Sequence, residues 1–206
     1  MNLGQIRAML QRQLQDISGV EWNDTGELNA LINMAYYNLQ KEVFKRIPDA
    51  HLYVDTAPTV VGTSWYPLDD TFGIHRVGYK ADGTATSHSK LQRKDYEDIV
   101  DLTGTTTYYT QKGQWIGIFP APSAAVADGI ELWHTPIMSL ALDADVPRLK
   151  LPLHYPIVLW ARMIAIGDTG EEAGETRERL KEVIDDLPLW YEIMTDSPDR
   201  LRIEGV

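Results

Sequence analysis

Five histidines are the residues best suited to bind a metal ion or to transfer a proton. They are His51, His75, His88, His134 and His154. No two of them have the spacing of metal ligands on one helix or in one hairpin, and the sequence contains no HExxH motif. His134 lies in a predicted strand, where the alternation of side chains points it outward. We therefore predict no metal site and no cofactor, and we assign the histidines structural or solvated roles.

Two groups of carboxylates also invite a chemical interpretation. Glu171, Glu172 and Glu175 are of the residue type that cleaves glycosides, but they lie in the first turn of a predicted helix, where the dipole favours acidic side chains. Asp143 and Asp145 begin like a calcium loop that lacks its glycine and its terminal glutamate. The chain has no cysteine and no GxSxG, P-loop or GxGxxG motif. These patterns predict that the chain is not an enzyme and has no catalytic residues.

Tryptophan is the residue type that most favours binding to a partner, because it is enriched both in cores and at interfaces. The chain has six: Trp22, Trp65, Trp115, Trp133, Trp160 and Trp190. Trp22, beside a predicted helix start, and Trp160, in an apolar helical stripe, are expected in the core. Trp65 and Trp133 are open to two interpretations, since each is suited either to burial or to a surface that meets a partner or a sugar.

Composition and charge restrict the function further. The 206 residues are 44% hydrophobic and carry a formal net charge of −11, and each of the segments 1–50, 51–137 and 138–206 is acidic. No basic segment is present to clamp DNA phosphates, so we predict no sequence-specific binding of nucleic acid. No apolar window is long enough to cross a membrane, and the first residues lack a signal-peptide pattern. We expect synthesis in the cytoplasm and no membrane partner.

Helical patterns occupy both ends of the chain. Apolar residues recur there at steps of three and four, which is typical of amphipathic helices. Asp24 has the position of an N-cap for the second helix, and Pro48 ends that helix. The third pattern is apolar almost all round, which indicates a buried helix. The predicted helices are residues 3–17, 25–46, 153–167 and 171–187.

The middle of the chain, residues 51–137, has strand-like patterns. Its clearest strands are 108–110, 115–119 and 130–133, which are rich in Trp, Tyr and Ile and bounded by Gly and Pro. Strand 115–119 has apolar groups on both faces, which predicts cover on both sides. A short helix is predicted at 94–102. We expect five to seven strands in a small sandwich or a strongly twisted sheet.

These elements together predict an α+β fold class. The N- and C-terminal helix pairs, in 1–50 and 138–195, would form one antiparallel helical bundle, because neither pair can bury both of its apolar stripes alone. Residues 51–137 would be a small antiparallel β domain inserted into that bundle. Residues 196–206 would be a C-terminal tail.

The order of several short motifs resembles a known family. The motifs are 22–24 with Leu28 and 32–35 in the second helix; 66–68; 108–109 with Gly113, Ile116, Ile118, Pro120 and Pro122; and 130–133 with 135–136. In this order, over about residues 3–190, the chain resembles the head–tail connector proteins (adaptor, or head-completion, proteins) of tailed phages, especially short-tailed ones. Each motif alone has low specificity, and the order and spacing carry the resemblance.

The resemblance implies a structural protein of the virion neck. It implies a homo-oligomeric ring of about twelve copies that joins the portal protein to a tail or nozzle protein and continues the channel through which DNA leaves the head. The alternation of Leu201, Ile203 and Val206 after Pro198 is typical of an extended segment whose apolar side chains enter pockets on a partner. We predict that these three residues bind the portal. The alternative function is a carbohydrate- or cell-wall-binding module, with or without hydrolytic activity, that uses exposed aromatic side chains of residues 51–137.

Overall fold

Four amphipathic sequences form the four α-helices of the described residues. A computed structural model describes residues 1–18, 24–167 and 171–189. The helices are α1 Leu3–Ser18, α2 Thr25–Arg46, α3 His154–Ile166 and α4 Glu171–Asp185. The chain separates into two compact units: Met1–Ala50 with Met138–Val206, here called the helical unit, and His51–Ile137, here called the sheet unit.

The core of the helical unit is organised around α3, which packs against α1, α2 and α4. This helix is apolar nearly all round, so that it can offer an apolar side chain to a neighbour in every direction. One cluster of buried residues takes members from all parts of the unit: Leu3, Ile6, Leu10, Leu14, Leu28, Ile32, Ala35, Tyr36, Leu39, Val43, Leu140, Leu149, Leu153, Ile157, Val158, Ala161 and Leu187. Trp160 packs against this cluster and is partly buried, in keeping with its predicted core position.

The start of α2 is fixed by Asp24. Its Oδ1 accepts hydrogen bonds from the backbone N–H groups of Gly26, at 2.8 Å, and Glu27, at 3.1 Å. These N–H groups have no partner within the helix, so the cap satisfies donors that the first turn leaves open. The helix ends at Arg46, two residues before Pro48. The predicted bounds of this helix are confirmed.

Residues 138–150, here called the connector, are held on α2 by two side-chain amides. Asn33 accepts from the backbone N–H of Leu140 at 2.7 Å and donates to its carbonyl oxygen at 2.9 Å. Gln40 makes the same pair of bonds with Met138, at 3.0 and 2.8 Å. The two amides are seven residues apart and therefore lie on one face of the helix. They pair with the connector backbone as a neighbouring strand would.

The connector also closes the N-terminal end of α1. Arg7 binds both carboxylate oxygens of Asp143 at 2.8 Å, and this pairing lowers the pKa of Asp143. The carboxylate of Asp145 accepts from two backbone N–H groups of the connector, which lowers the pKa of Asp145. Leu3 N–H donates to the Asp145 carbonyl at 2.8 Å, and Gly4 N–H donates to the Asp143 carbonyl at 3.1 Å. The two aspartates that resemble the start of a calcium loop therefore shape the connector.

The sheet unit has eight strands in two sheets of four. One sheet has the order β1-β8-β3-β4 and the other has the order β2-β7-β6-β5. All neighbours are antiparallel except β5 and β6, which are parallel. The strands are β1 Tyr53–Ala57, β2 Trp65–Pro67, β3 Thr71–Tyr79, β4 Ser89–Lys90, β5 Gln92–Arg93, β6 Tyr108–Lys112, β7 Trp115–Phe119 and β8 Ile130–Pro136.

Both sheets contribute to one buried core. Ile116 and Ile118 point into it from β7, so that the alternate residues Trp115, Gly117 and Phe119 lie on the opposite face of the same strand. The buried members of this core are Tyr66, Val77, Tyr79, Leu91, Tyr109, Ile116, Ile118 and Ile130. Trp115, Gly117 and Phe119 therefore lie on the outer face of the sheet β2-β7-β6-β5.

The predicted fold class is wrong in its architecture, although the protein is α+β. The structure has two four-stranded sheets and is rich in strands, where we predicted a helical bundle with a small antiparallel insertion of five to seven strands. Strands β2, β4 and β5 have only two or three residues, too few to give an alternating pattern, and β5–β6 is parallel. The helix predicted at 94–102 is a single 3-10 turn, Tyr96–Asp98. That the two units are separate folding domains stays a prediction.

Candidate interaction surfaces

The predicted portal-binding residues Leu201, Ile203 and Val206 lie outside the described residues, as do Trp22 and Trp190. The prediction for the tail therefore stays a prediction. Of the three glutamates that invited an acid/base interpretation, Glu175 is exposed, and the side chains of the other two are outside the described set. Within residues 1–18, 24–167 and 171–189, no group of three His, Asp or Glu side chains could hold a metal ion.

The histidine on β8 departs from its sequence interpretation. His134 is only 2% exposed, where the strand alternation predicted an outward position, and its Nε2 lies 2.7 Å from an Asp55 carboxylate oxygen on the paired strand β1. His75 and His88 also have hydrogen-bond partners, the hydroxyl of Thr135 and the carbonyl of Asp128. These contacts assign the three histidines to packing within the sheet unit.

His154 is the buried histidine of the helical unit. Its Nε2 donates to the carbonyl oxygen of Leu149 at 2.9 Å, and its Nδ1 lies 2.8 Å from the backbone nitrogen of Met1. Burial lowers the pKa of His154 below its ordinary value, and the positive charge near Nδ1 lowers it further. The ring is therefore neutral in the folded protein near neutral pH.

This burial predicts a dependence of stability on pH. The unfolded chain protonates His154 near pH 6.5, whereas the folded pKa is lower. The unfolded state therefore binds more protons in the window between the two values, and the free energy of unfolding should fall as the pH drops below about 6.5. Urea unfolding of the wild type and of His154→Gln, each at several pH values from about 7.5 down to about 5, measures this contribution. Equal pH slopes for the two proteins would contradict the assignment.

An open aromatic pocket lies on the outer face of the sheet β2-β7-β6-β5. Its cavity volume is about 570 Å³, and its lining is Trp65, Tyr96, Lys112, Gly113 and Trp115. Trp115, the first residue of β7, is 50% exposed. Strand β7 was predicted to be covered on both sides. The structure covers its outer face only at the Phe119 end.

Three rings close that covered end. The ring centroids of Trp65, Tyr96 and Phe119 are each 5.7 Å from the other two, in edge-to-face and tilted arrangements that aromatic pairs favour. They meet across Gly117, which is paired directly with Trp65. A Cβ atom at Gly117 would lie 2.7 Å from Phe119 Cε2 and 2.9 Å from Trp65 Cζ3. The glycine therefore makes room for the ring cluster that forms one wall of the pocket.

Two lysines border the same face. The Lys94 ammonium lies 4.4 Å from the centre of the Tyr108 ring, a cation–π contact. Lys112 is exposed, is paired with Trp115 across the β6–β7 hairpin, and binds no carboxylate in the part of the chain that the structure describes. The lining of the aromatic pocket therefore includes one lysine, Lys112, and Lys94 lies on the same face of the sheet.

Trp133 has a different setting on the other sheet. Its indole N–H donates to Glu131 at 2.9 Å, and the Arg76 guanidinium lies 5.8 Å from its ring centre. Glu131 also lies 3.5 Å from His88 and 3.9 Å from Arg76. These contacts hold the Trp133 ring against its own sheet. The sequence left the roles of Trp65 and Trp133 undecided, and of these two only Trp65 lines the aromatic pocket.

The helical unit exposes apolar side chains of its own. They lie on α2, on the connector and around the start of α3: Met34, Tyr37, Leu142, Val146, Leu151 and Tyr155. Leu142 and Leu151 are the most exposed, at 67% and 70%. Large apolar side chains exposed close together mark surfaces that bind other proteins. Among the described helices, none is both long and apolar enough to cross a membrane.

Exposed apolar side chains therefore lie on both units, as is usual for surfaces that contact other proteins. The family model described as SU10 adaptor protein matches residues 1–201, and the chain belongs to that family. The resemblance to phage head–tail adaptors is thereby confirmed. Membership implies association with phage portal and tail proteins and a place at the virion neck, and the family is in general structural and non-enzymatic. No curated protein matches the chain.

Proposed function

We propose that this chain forms a ring of about twelve copies that joins the portal to the tail of a phage and continues the DNA channel. The observation that carries the proposal is the match of the adaptor family to residues 1–201. The exposed apolar side chains of the helical unit support it, because contacts between neighbouring copies would remove Leu142 and Leu151 from water.

The charge of the chain supports a channel through which DNA passes without binding. The net charge is −11, and every copy added to a ring adds the same negative charge. A channel wall of that sign repels phosphates, so that DNA does not adhere to it. Affinity for duplex DNA at physiological salt should therefore be absent, in contrast to proteins that neutralise phosphates with clusters of lysine and arginine.

The C-terminal tail completes the proposal. Leu201, Ile203 and Val206 alternate with polar residues, and Pro198 prevents a helix from continuing into them. We assign these three side chains to apolar pockets on the portal, where backbone hydrogen bonds of an extended segment would add affinity.

The half-exposed Trp115 is the one observation that favours the alternative, carbohydrate binding. The pocket beside it is lined by aromatic rings, a lysine and a glycine, and by no carboxylate or side-chain amide. Sugar hydroxyls would find hydrogen-bond donors there but few strong acceptors, and an unpaired hydroxyl costs binding energy. The lining therefore favours protein binding.

The proposal is tested by native mass spectrometry of the chain alone, with its portal, and with the portal after deletion of residues 196–206. A closed ring on the portal, of about twelve copies, is the expected result for the full chain. The shortened chain should stay folded, because no residue of the described cores is removed, and should bind the portal less tightly. Masses of separate components for the full chain would overturn the adaptor proposal. Equal portal binding by the shortened chain would overturn only the role of the tail.

A further inference from the structure

The aromatic pocket on the outer face of the sheet unit is open, and no side chain of residues 1–18, 24–167 or 171–189 fills it. Trp115 and Tyr96 are exposed members of its lining, which also includes Lys112, the last residue of β6, and Gly113 in the β6–β7 turn. The volume of about 570 Å³ is in the range of pockets that hold small ligands or single anchoring side chains. Such a pocket on a protein that works by association calls for a partner of matching chemistry.

The lining defines that chemistry. Trp65, Tyr96 and Trp115 offer flat apolar surfaces, which accept the rings of proline and the side chains of aliphatic residues. Lys112 offers an ammonium group that pairs with no carboxylate among the described residues. An apolar side chain followed closely by a carboxylate complements both features at once.

A single nucleic acid strand would match the rings and the lysines but not the carboxylates that follow Tyr96 in the chain. Bases stack on aromatic side chains, and phosphates bind lysines. Glu97 and Asp98 directly follow Tyr96 in the 3-10 turn, and both are exposed. A run of phosphates that follows the pocket would meet these carboxylates, whereas one carboxylate of a peptide needs only Lys112.

We propose that this pocket binds an extended segment of another protein, which inserts a proline or aliphatic side chain between Trp115 and Tyr96 and places a single carboxylate at Lys112. This goes beyond the adaptor role, because the recognition belongs to the single chain and needs neither a ring nor the portal.

The test is a titration of the full chain, labelled with ¹⁵N, with the peptide acetyl-Pro-Pro-Leu-Pro-Asp-amide. The indole N–H signal of Trp115 and the amide signal of Gly113 should shift, with a Kd of about 0.1–1 mM that is typical of one small pocket. The same peptide with Asn in place of Asp should bind more weakly and with less dependence on salt, because it cannot pair with Lys112.

Three variants assign the binding to the pocket. Trp115→Ala should weaken the peptide at least about tenfold, and Lys112→Gln should weaken it to the level of the Asn peptide. Lys112→Gln combined with the Asn peptide should cost no more than either change alone, since both remove the same ion pair. Lys41→Gln, an exposed lysine of the helical unit, is the matched control and should bind as the wild type does. Lys112 is a surface residue, so this comparison holds even where Trp115→Ala disturbs folding.

Two outcomes overturn the inference. One is the absence of any shift at Trp115 and Gly113 at peptide concentrations of about 10 mM, well above the expected Kd. The other is a shift of these signals by oligo-deoxythymidine or by chitotriose at concentrations where the peptide has no effect. A chain that binds the peptide but forms no ring would overturn the proposed function and leave this inference standing. A chain that forms the ring without binding the peptide would overturn this inference and leave the proposed function standing.

Discussion

Replacing Ile32 with alanine should lower the free energy of unfolding of the helical unit by about 2–5 kcal/mol. Ile32 is fully buried in the cluster that joins all four helices, so that removal of its side chain leaves a cavity among residues that cannot all move to fill it. Urea unfolding followed by far-UV circular dichroism gives the value.

Met34→Ala is the matched control for this change. Met34 lies two residues further along the same helix, and its side chain is 53% exposed. Its removal should change the free energy of unfolding by less than about 0.5 kcal/mol, as is usual for surface positions. Equal effects of the two substitutions would show that Ile32 does not lie in a shared core.

The second large effect is expected at Gly117. A methyl group there would lie well inside van der Waals contact with the rings of Trp65 and Phe119, so that Gly117→Ala must displace at least one of them. We expect a loss of about 1–3 kcal/mol in the free energy of unfolding. The near-UV circular dichroism should also change, because the ring cluster contributes to it and is broken.

Gly174→Ala is a control with the opposite sign. Gly174 lies inside α4, and no atom approaches the position of its missing Cβ within 4 Å. Alanine loses less backbone entropy than glycine in a helix, so this substitution should stabilise the protein by about 0.5–1 kcal/mol. If both variants are stabilised, the space over Gly117 is larger than the structure shows.

The helices could be predicted because their signals are local. Each has an apolar stripe with helical period, and the second also has its N-cap at Asp24 and its stop at Pro48 within the same stretch of sequence. The observed α1 ends one residue later than predicted, and the observed α3 is one residue shorter than predicted at each end. Local pattern was enough because neither propensity nor capping depends on distant residues.

The features that escaped prediction depend on residues far apart in the sequence. His134 contacts Asp55, 79 residues earlier, and Gln40 contacts Met138, 98 residues later. Strand alternation indicates two faces for β8 but cannot show which of them another layer will cover. The parallel pairing of β5 with β6 joins residues that have no hairpin turn between them, so no turn signal announces it.

The aromatic pocket was missed for a related reason. The pattern of β7 shows apolar groups on both faces, and burial of both was the direct interpretation. Only the three-dimensional pairing shows that Trp65 and Tyr96 cover Phe119 and leave Trp115 open. One local signal could have indicated that Trp115 is exposed. It is the first residue of its strand, two residues after Gly113, and side chains at the end of a strand have fewer neighbours.

The edges of the two sheets limit how copies of this chain can recognise one another. Three of the four edge strands, β2, β4 and β5, have only two or three residues, and β2 ends in Pro67, which has no N–H to donate. The longest edge, β1, carries the charged Asp55 and is followed by Pro58. Backbones protected in this way resist the open-ended strand addition that leads to fibres. A concentrated solution of this chain should therefore resist aggregation through its sheet edges.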